Sequence, residues 1–297
     1  MKILNTLSSE QLKPSTIMLV YGQGGVGKTT FASTAPKPLL LDCENGGKYL
    51  GLRGINIDRV LIKGWNDFKD PELIKLIQSS DEYDTIVIDP IGEAMEKLIK
   101  TVETHSNTKY RQNDGSPTMA GWGFIKKSMR NFVKMLRDSG KNVIFIAHVE
   151  EKMDEERLVK RPMIATKISE ELINLVDIVG YMTSVISGEE EKRMIVVDSG
   201  NDKFIAKDRT GQLGKIIPPN FIDIISAIQG TKKFKWAKSL EDKVPEKAPE
   251  KALEKKTILK KEVERKENEE ETIEEIEETE SDELDKSIED KLSNAKK

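Results

Sequence analysis

The sequence predicts an α/β fold in which helices flank a mostly parallel sheet, with a charged tail after it. A glycine-rich segment follows an apolar run and precedes residues that can form a helix. Two later apolar runs end in Asp42 and Asp89, and strands that are apolar throughout are typical of a parallel sheet covered on both faces. The third observation is a change of composition, which divides the chain into a core over residues 1–230 and a low-complexity tail over residues 231–297.

The tail differs from the core in charge and in aromatic content. Residues 241–297 carry a net charge of −8, whereas residues 1–240 carry +4 and the whole chain −4. No aromatic residue follows Trp236. A segment of this composition buries too little apolar surface to offset its ordering entropy, so we expect it to be disordered or to form a single fraying helix. Its role is either to keep the protein soluble or to compete with nucleic acid for the basic core.

The cysteine and histidine content limits the metal chemistry. Cys43 is the single cysteine, so neither an internal disulfide nor a zinc site built on thiolates is expected. The two histidines, His105 and His148, are too few to make a transition-metal site a reasonable expectation. Neither a signal peptide nor an apolar run long enough to cross a membrane is visible, which predicts a soluble, cytoplasmic protein.

Residues 17–30, IMLVYGQGGVGKTT, contain the pattern G-x-x-x-x-G-K-[ST] between a predicted strand and a predicted helix. Glycines let the backbone N–H groups of such a loop curl around a triphosphate, and the helix directs its N-terminal dipole at the same phosphates. We expect Lys28 to reach the β- and γ-phosphates of ATP, Thr29 to ligate Mg2+ and Thr30 to contact the α-phosphate. The residues of this loop expected to bind ATP are Gly22, Gln23, Gly24, Gly25, Val26, Gly27, Lys28, Thr29 and Thr30.

The next elements are predicted by prolines and apolar runs. Pro36 and Pro38 shorten the helix that follows the phosphate loop. The run PLLLD is a second buried strand, whose acidic carboxyl end faces the crevice where α/β sheets bind ligands. In the run DTIVIDP, residues 84–90, four apolar-compatible positions lead to Asp89, whose carboxylate we expect to hold Mg2+ through water beside Thr29.

The rest of the core alternates helical and strand patterns. Strand 142–147 ends just before His148, and two segments without a clear period, a polar loop over 105–121 and a charged loop over 149–166, interrupt the elements. Helices are predicted over residues 67–78, 92–103, 122–138 and 168–175, and strands over 59–62, 142–147, 177–185 and 192–197, the last two as an antiparallel pair.

The order of these parts over residues 17–217 resembles the RecA-like ATPase core, and within it the phage nucleotide-binding proteins, some of which are single-strand annealing proteins of the Sak type. The resemblance implies ATP hydrolysis with Mg2+ and action on single-stranded DNA in recombination, by annealing or strand pairing. It implies that Glu44, in LLLDCENGG, activates the attacking water and that His148, in FIAHVEEK, senses the γ-phosphate. The two loops that contact DNA correspond in order to residues 105–121 and 149–166.

The run IAKDRTG resembles the paired basic fingers that RecA-like rings and filaments insert into a neighbouring ATP site. By that resemblance Lys207 and Arg209 act in trans, in a homo-oligomer that is a ring or a filament. A basic pair at the γ-phosphate stabilises the charge of the transition state only in the assembled protein. The same resemblance suggests a single-strand binding protein as a further partner, and the bacterial host cytoplasm as the location of a phage-encoded protein.

Three alternatives stay open at this point. Partition ATPases of the ParA and MinD kind share GGVGKTT, but they carry a signature lysine where this chain has Gln23 and a longer first helix. A replication or packaging ATPase such as a DnaB-type helicase motor shares the Lys-x-Arg finger, but it also has an amino-terminal helical domain, which this sequence is not expected to contain. A nucleotide-dependent adaptor without DNA binding needs no water-orienting carboxylate, so Glu44 favours a hydrolase.

Overall fold

The computed structural model describes residues 15–154, 157–165, 168–187, 190–198 and 203–234. The predicted tail, apart from residues 231–234, lies outside the described residues. The strands are β1 Ile17–Gly22, β2 Pro38–Asp42, β3 Asp58–Leu61, β4 Thr85–Asp89, β5 Asn142–Asp154, β6 Arg157–Pro162, β7 Ile178–Ser187, β8 Glu190–Val196, β9 Lys207–Asp208 and β10 Ile216–Ile217. The helices are α1 Lys28–Ala32, α2 Pro71–Gln78, α3 Ile91–Glu103, α4 Met119–Asp138, α5 Ile168–Leu175 and α6 Phe221–Ile228.

The sheet runs in the order β10-β8-β7-β1-β5-β4-β2-β3, with β6 paired to β5 and β9 paired to β7. The six strands from β7 to β3 along this order are parallel, and β8 and β10 extend the sheet as antiparallel strands. The predicted α/β fold with a mostly parallel sheet is therefore confirmed. The carboxyl ends of β1, β5, β4 and β2 meet at one edge, because parallel strands end on the same side of a sheet.

Both faces of the sheet are covered, which explains why its central strands are apolar throughout. On one face, Met18 and Val20 of β1 pack in a core cluster with Phe31 of α1 and Phe221 of α6. Leu19 alternates with these two residues on β1, is itself fully buried, and faces the other side of the pleated strand. The face that bears Leu19 is covered by helices from the middle of the chain, since α3 and α4 contact β5.

Three helix boundaries follow from local chemistry. The first helix is as short as the prolines predicted. The helix predicted over 67–78 is divided into a 3-10 turn, Trp65–Lys69, and α2, because Pro71 begins a new helix and the Asp70 side chain accepts from two backbone N–H groups of its first turn. Helix α4 begins before the predicted residue 122, since the Thr118 side chain caps it by accepting from the Gly121 N–H.

The charged segment after His148 corrects the expectation of a loop over residues 149–166. Strand β5 continues to Asp154 and pairs with β6 as an antiparallel hairpin. The register places Glu150 opposite Arg161 and Glu151 opposite Lys160, so opposite charges face each other across the hairpin. Such pairs stabilise antiparallel strands, but they are invisible when charges are read along the sequence.

The antiparallel pair predicted near residues 177–197 is present as β7 and β8. Strand β9 lies on β7, where Lys207 pairs with Val179. Within the described ranges, none of the helices combines the length and the apolar character needed to cross a membrane.

Candidate nucleotide-binding site

The phosphate loop lies between β1 and α1, and it requires glycine for two structural reasons. Gly25 and Gly27 have φ angles of 78° and 102°, in the left-handed region that other residues rarely adopt. A Cβ atom on Gly22 would overlap the backbone carbonyl oxygen of Met182 on β7. The loop therefore needs glycine both for its backbone conformation and for its close packing against the neighbouring strand.

Lys28 begins α1 and folds back over the loop. Its Nζ donates to the backbone carbonyls of Gly22 and Gln23, both at 2.8 Å, and only 7% of the residue is exposed. Burial lowers the pKa of Lys28, while the nearby carboxylates of Asp89 and Glu44 oppose that shift. An ammonium group held in this way can exchange its carbonyl partners for phosphate oxygens, which are stronger acceptors because they are charged.

Thr29 and Asp89 lie in direct contact, with 2.6 Å between Thr29 Oγ1 and Asp89 Oδ2. Burial raises the pKa of Asp89, and the hydrogen bond from Thr29 and the charge of Lys28 partly offset this rise. A hydroxyl and a carboxylate suit Mg2+, which takes few protein ligands and completes its octahedron with water and phosphate oxygens. Among the described residues, no group of three or more acidic, histidine or cysteine side chains is placed to hold a metal ion.

Glu44 and His148 face each other at the end of the sheet. His148 Nε2 lies 3.2 Å from Glu44 Oε1, and their side chains are 44% and 40% exposed. His148 pairs with Gly22, the first residue of the phosphate loop, in the register of β1 and β5. The contact brings together two side chains that are far apart in the sequence, beside the loop and open to solvent.

Asp42 holds the turn that carries Glu44. Its carboxylate accepts from the backbone N–H groups of Glu44, Gly46 and Gly47, and Arg59 of the neighbouring β3 donates to it at 2.9 Å. Asp42 is only 2% exposed, so this carboxylate is satisfied by these donors instead of by water. The sequence analysis placed Asp42 at the crevice but missed its contact with Arg59, which depends on strand pairing.

A cavity of about 240 Å³ joins these groups. It brings together six of the nine predicted residues of the phosphate loop with Glu44, Asp89 and His148, whereas the predicted residues Gly22, Gln23 and Val26 do not line it. Four lining residues, Gly46, Tyr49, Leu50 and Arg53, were not predicted from the sequence, because they reach the cavity through two turns of 3-10 helix that carry no motif. The lining residues are Gly24, Gly25, Gly27, Lys28, Thr29, Thr30, Asp42, Glu44, Gly46, Tyr49, Leu50, Arg53, Asp89 and His148.

Comparison with known proteins agrees with this geometry. The model of an AAA domain family, AAA_24, matches residues 15–210, which is most of the described core. The chain belongs to this AAA domain family. Lys28, Thr29, Glu44, Asp89 and His148 all lie inside the matched range.

The chain is also similar in sequence to a prophage-derived protein and, more distantly, in structure to two solved proteins. The SPbeta prophage-derived uncharacterized protein YorG of Bacillus subtilis (strain 168) is 26% identical over 209 residues, which cover 68% of this chain and 62% of that protein. The match thus spans less than two thirds of the relative's length. A KaiC-like protein from Pyrococcus horikoshii OT3 has 16% identity and a TM-score of 0.34, and the flagellar accessory protein FlaH from Methanocaldococcus jannaschii has 9% identity and a TM-score of 0.35. Both likenesses cover 62% of this chain and 78% of the other chain.

The two predicted finger residues do not line the cavity of their own AAA domain. Lys207 Nζ donates to the backbone carbonyls of Ile173, Asn174 and Val176, where α5 ends. Arg209 donates to the Asn174 carbonyl and pairs with Asp177, yet 54% of its side chain is exposed. Burial lowers the pKa of Lys207, and the charge of Arg209 lowers it further.

The polar segment over residues 105–121 is folded on itself and onto α4. Tyr110 packs against His105 and against Phe124, with ring centroids 5.2 and 5.6 Å apart. Arg111 donates to the His105 carbonyl, and Lys109 lies over the Tyr110 ring. The one aromatic residue that the sequence placed in this loop is therefore engaged within the domain.

Proposed function

We propose that this protein is a Mg2+-dependent ATPase that acts on single-stranded DNA in recombination, by annealing or strand pairing. The observation that carries the ATPase part is the convergence of Lys28, Thr29, Asp89, Glu44 and His148 on one cavity at the carboxyl edge of the sheet. Ligands of α/β proteins bind at this edge. The membership in the AAA domain family supports the same chemistry.

Each group has a distinct task in this proposal. ATP lies along the loop over residues 22–30, where Lys28 binds the β- and γ-phosphates and Thr30 the α-phosphate. Thr29 and Asp89 would hold Mg2+, which would supply positive charge beside the phosphate oxygens. Glu44 orients the attacking water and accepts its proton, and the 3.2 Å contact with His148 fixes the carboxylate.

The proposal includes a homo-oligomer, either a ring or a filament. Arg209 keeps the exposure needed to reach the ATP of a neighbouring subunit, and Lys207 lies two positions before it on the same short segment. Both residues then add positive charge at the transferred phosphoryl group only after assembly, so that assembly switches hydrolysis on.

The proposed action on DNA is supported by the position of the β5–β6 hairpin and by the prophage-derived relative. The hairpin β5–β6 starts directly after His148, so a change at His148 has a short path to an exposed element. A prophage-derived relative fits a phage recombination protein that works in the bacterial host cytoplasm, with a single-strand binding protein as a partner. The core charge of only +4 means that affinity for DNA comes from many copies along one strand.

The test is the rate of ATP hydrolysis by the purified full chain with and without single-stranded DNA, at two salt concentrations, with Lys28→Ala as the blank. We expect Mg2+-dependent hydrolysis that single strands stimulate and that salt weakens. Hydrolysis that ignores DNA would contradict the recombination part and would favour a protein partner. Absence of hydrolysis beside intact ATP binding would favour a nucleotide-dependent adaptor.

A further inference from the structure

Arg193 lies on β8, a strand to which the sequence analysis gave no function. It pairs with Ser184 of β7. Along β7, Tyr181 is the residue that pairs with Tyr21 near the end of β1, and Ser184 lies beyond it. Arg193 therefore stands past the carboxyl end of β1, at the level of the chain where the phosphate loop begins.

The guanidinium of Arg193 reaches the phosphate loop itself. A Cβ atom placed on Gly27 would lie 2.9 Å from Nη1 and 3.6 Å from Cδ of Arg193, and 3.5 Å from the Met182 methyl carbon. Gly27 immediately precedes Lys28. The β7–β8 hairpin thus brings a permanent positive charge against the loop within the same chain, at a distance of 166 residues in sequence.

This guanidinium has donors to spare. Arg193 is exposed, and it makes no hydrogen bond or ion pair with any part of the chain that the structure describes. The other basic residues discussed above differ, since Lys28, Lys207 and Arg209 all donate to backbone carbonyls. A guanidinium carries five N–H donors in a planar fork that matches phosphate oxygens two at a time.

The order of the strands in the sheet indicates which end of the triphosphate Arg193 would contact. Strands β5, β4 and β2, which position His148, Asp89 and Glu44, lie on one side of β1, whereas β7 and β8 lie on the other side. Glu44 and Asp89 mark the end at which the γ-phosphate is hydrolysed. Arg193 approaches from the opposite side, toward the end of the phosphate chain that ATP and ADP have in common.

We propose that Arg193 is a further nucleotide-binding residue, which donates in cis to phosphate oxygens shared by ATP and ADP from the side of the loop opposite Glu44. The inference rests on the proposed nucleotide site. It assigns Arg193 a different task from Arg209, because Arg193 acts within one subunit and on both nucleotides, while Arg209 acts between subunits and on hydrolysis.

The test is the Kd of the full chain for ATP and for ADP, measured by calorimetry with Mg2+, for wild type and four variants. Arg193→Ala should weaken both nucleotides by about tenfold, as expected for one charge-assisted contact. Arg193→Lys should recover part of the loss, because it keeps the charge without the fork. Lys192→Ala is the matched control, since it removes the same charge at the next position of the strand, and it should change either Kd by less than about twofold. Lys28→Ala reports on the nucleotide site itself.

Two further readouts separate a binding role from a structural one. The KM of Arg193→Ala for ATP should rise about tenfold, and its Tm without nucleotide should be unchanged while the nucleotide-induced rise in Tm is reduced. Should Arg193→Ala lower the Tm without nucleotide, Arg193→Gln, which retains most of the side chain, replaces it in the same comparison.

The outcomes distinguish this inference from the proposed function. Unchanged Kd values for Arg193→Ala, beside lost binding in Lys28→Ala, would overturn the role of Arg193 and leave the nucleotide site intact. A loss confined to kcat, or to ATP alone, would also overturn it, because Arg193 would then act at the γ-phosphate. A wild-type chain that binds neither nucleotide, or a Lys28→Ala chain that binds both normally, would overturn the proposed function instead.

Discussion

Two lysines of this protein, Lys28, which is buried, and Lys207, which is half-buried, make the same kind of contact in very different places. Lys28 donates to the carbonyls of Gly22 and Gln23, and Lys207 donates to carbonyls at the end of α5. Burial lowers the pKa of both. Lys28 lines the cavity beside the acidic side chains of Asp89 and Glu44. The acidic side chain near Lys207 is that of Asp177, and Lys207 does not line this cavity.

The phosphate-loop motif specifies the contacts of Lys28, but no motif specifies those of Lys207. The partners of Lys28 belong to its own loop, so a ligand can replace them without moving the fold. The carbonyls held by Lys207 end a helix that packs on α4, and the cation there neutralises the negative end of the helix dipole. To reach the ATP of a neighbouring subunit, Lys207 must first release these carbonyls. Lys28 already lines the cavity of its own subunit.

The largest effect is expected for Lys28→Ala, which removes the cation at the centre of the cavity. We expect nucleotide binding and turnover to fall below detection, because the β- and γ-phosphates lose their main charged donor. The measurement is calorimetric ATP binding together with phosphate release. Lys63→Ala, which removes an exposed lysine elsewhere, serves as the control. Normal turnover in Lys28→Ala would remove the distinction between the two lysines.

The next largest effect is expected for Glu44→Gln. This variant should bind ATP normally and hydrolyse it about 10² to 10³ times more slowly, because an amide cannot accept the proton of the attacking water. Single-turnover hydrolysis with prebound ATP separates the two steps. Glu96→Gln, on the exposed side of α3, is the control. Equal single-turnover rates for Glu44→Gln and wild type would show that another group activates the water.

Whether a feature of the fold or of the site could be predicted from the sequence depends on how far apart its interacting residues lie along the chain. The phosphate loop, the short α1 and the strands that end in Asp42 and Asp89 depend on neighbouring residues and on the common edge of a parallel sheet, and their positions were predicted. The roles expected for Glu44 and His148 came from a family resemblance and not from any local pattern, and their direct contact was not predicted.

The parts that were wrong or missed depend on pairing between distant residues. The hairpin over β5 and β6 looked like a charged loop, because the attraction between Glu150 and Arg161 exists only after the strands have paired. The approach of Arg193 to Gly27 and the hold of Lys207 on α5 have the same origin. The sequence shows the charge of such residues but not the group that each of them contacts in the fold.

A smaller effect is expected for Arg209→Ala, and it tests the action between subunits. We expect hydrolysis to fall on the order of tenfold to a hundredfold with ATP affinity unchanged, since one charge-assisted contact to the transferring group is lost. Mixing Arg209→Ala with Lys28→Ala should restore part of the activity, because a mixed assembly contains sites with an intact loop on one subunit and an intact Arg209 on the next. If the mixture hydrolyses ATP only at the sum of the residual rates of the two variants, action in trans is contradicted.

The smallest effect that we expect is the loss of stability caused by Lys207→Ala, which is measured separately from its effect on hydrolysis. We expect the free energy of unfolding to fall by about 1 to 2 kcal/mol, because three carbonyls at the end of α5 lose a charged donor. Urea unfolding of the full chain measures it, with Lys215→Ala, an exposed lysine of the same region, as the control.

The same variant also decides how far the comparison between the two lysines extends. If Lys207→Ala loses hydrolysis in proportion to Arg209→Ala while its urea midpoint stays that of wild type, the lysine leaves α5 in the assembled protein and works as a finger. If the midpoint falls and the remaining folded protein hydrolyses ATP normally, Lys207 fixes the segment and Arg209 alone reaches the neighbour. The first result would make the contacts of Lys207 at α5 a resting state that is exchanged for contacts with phosphate, as we propose for the contacts of Lys28.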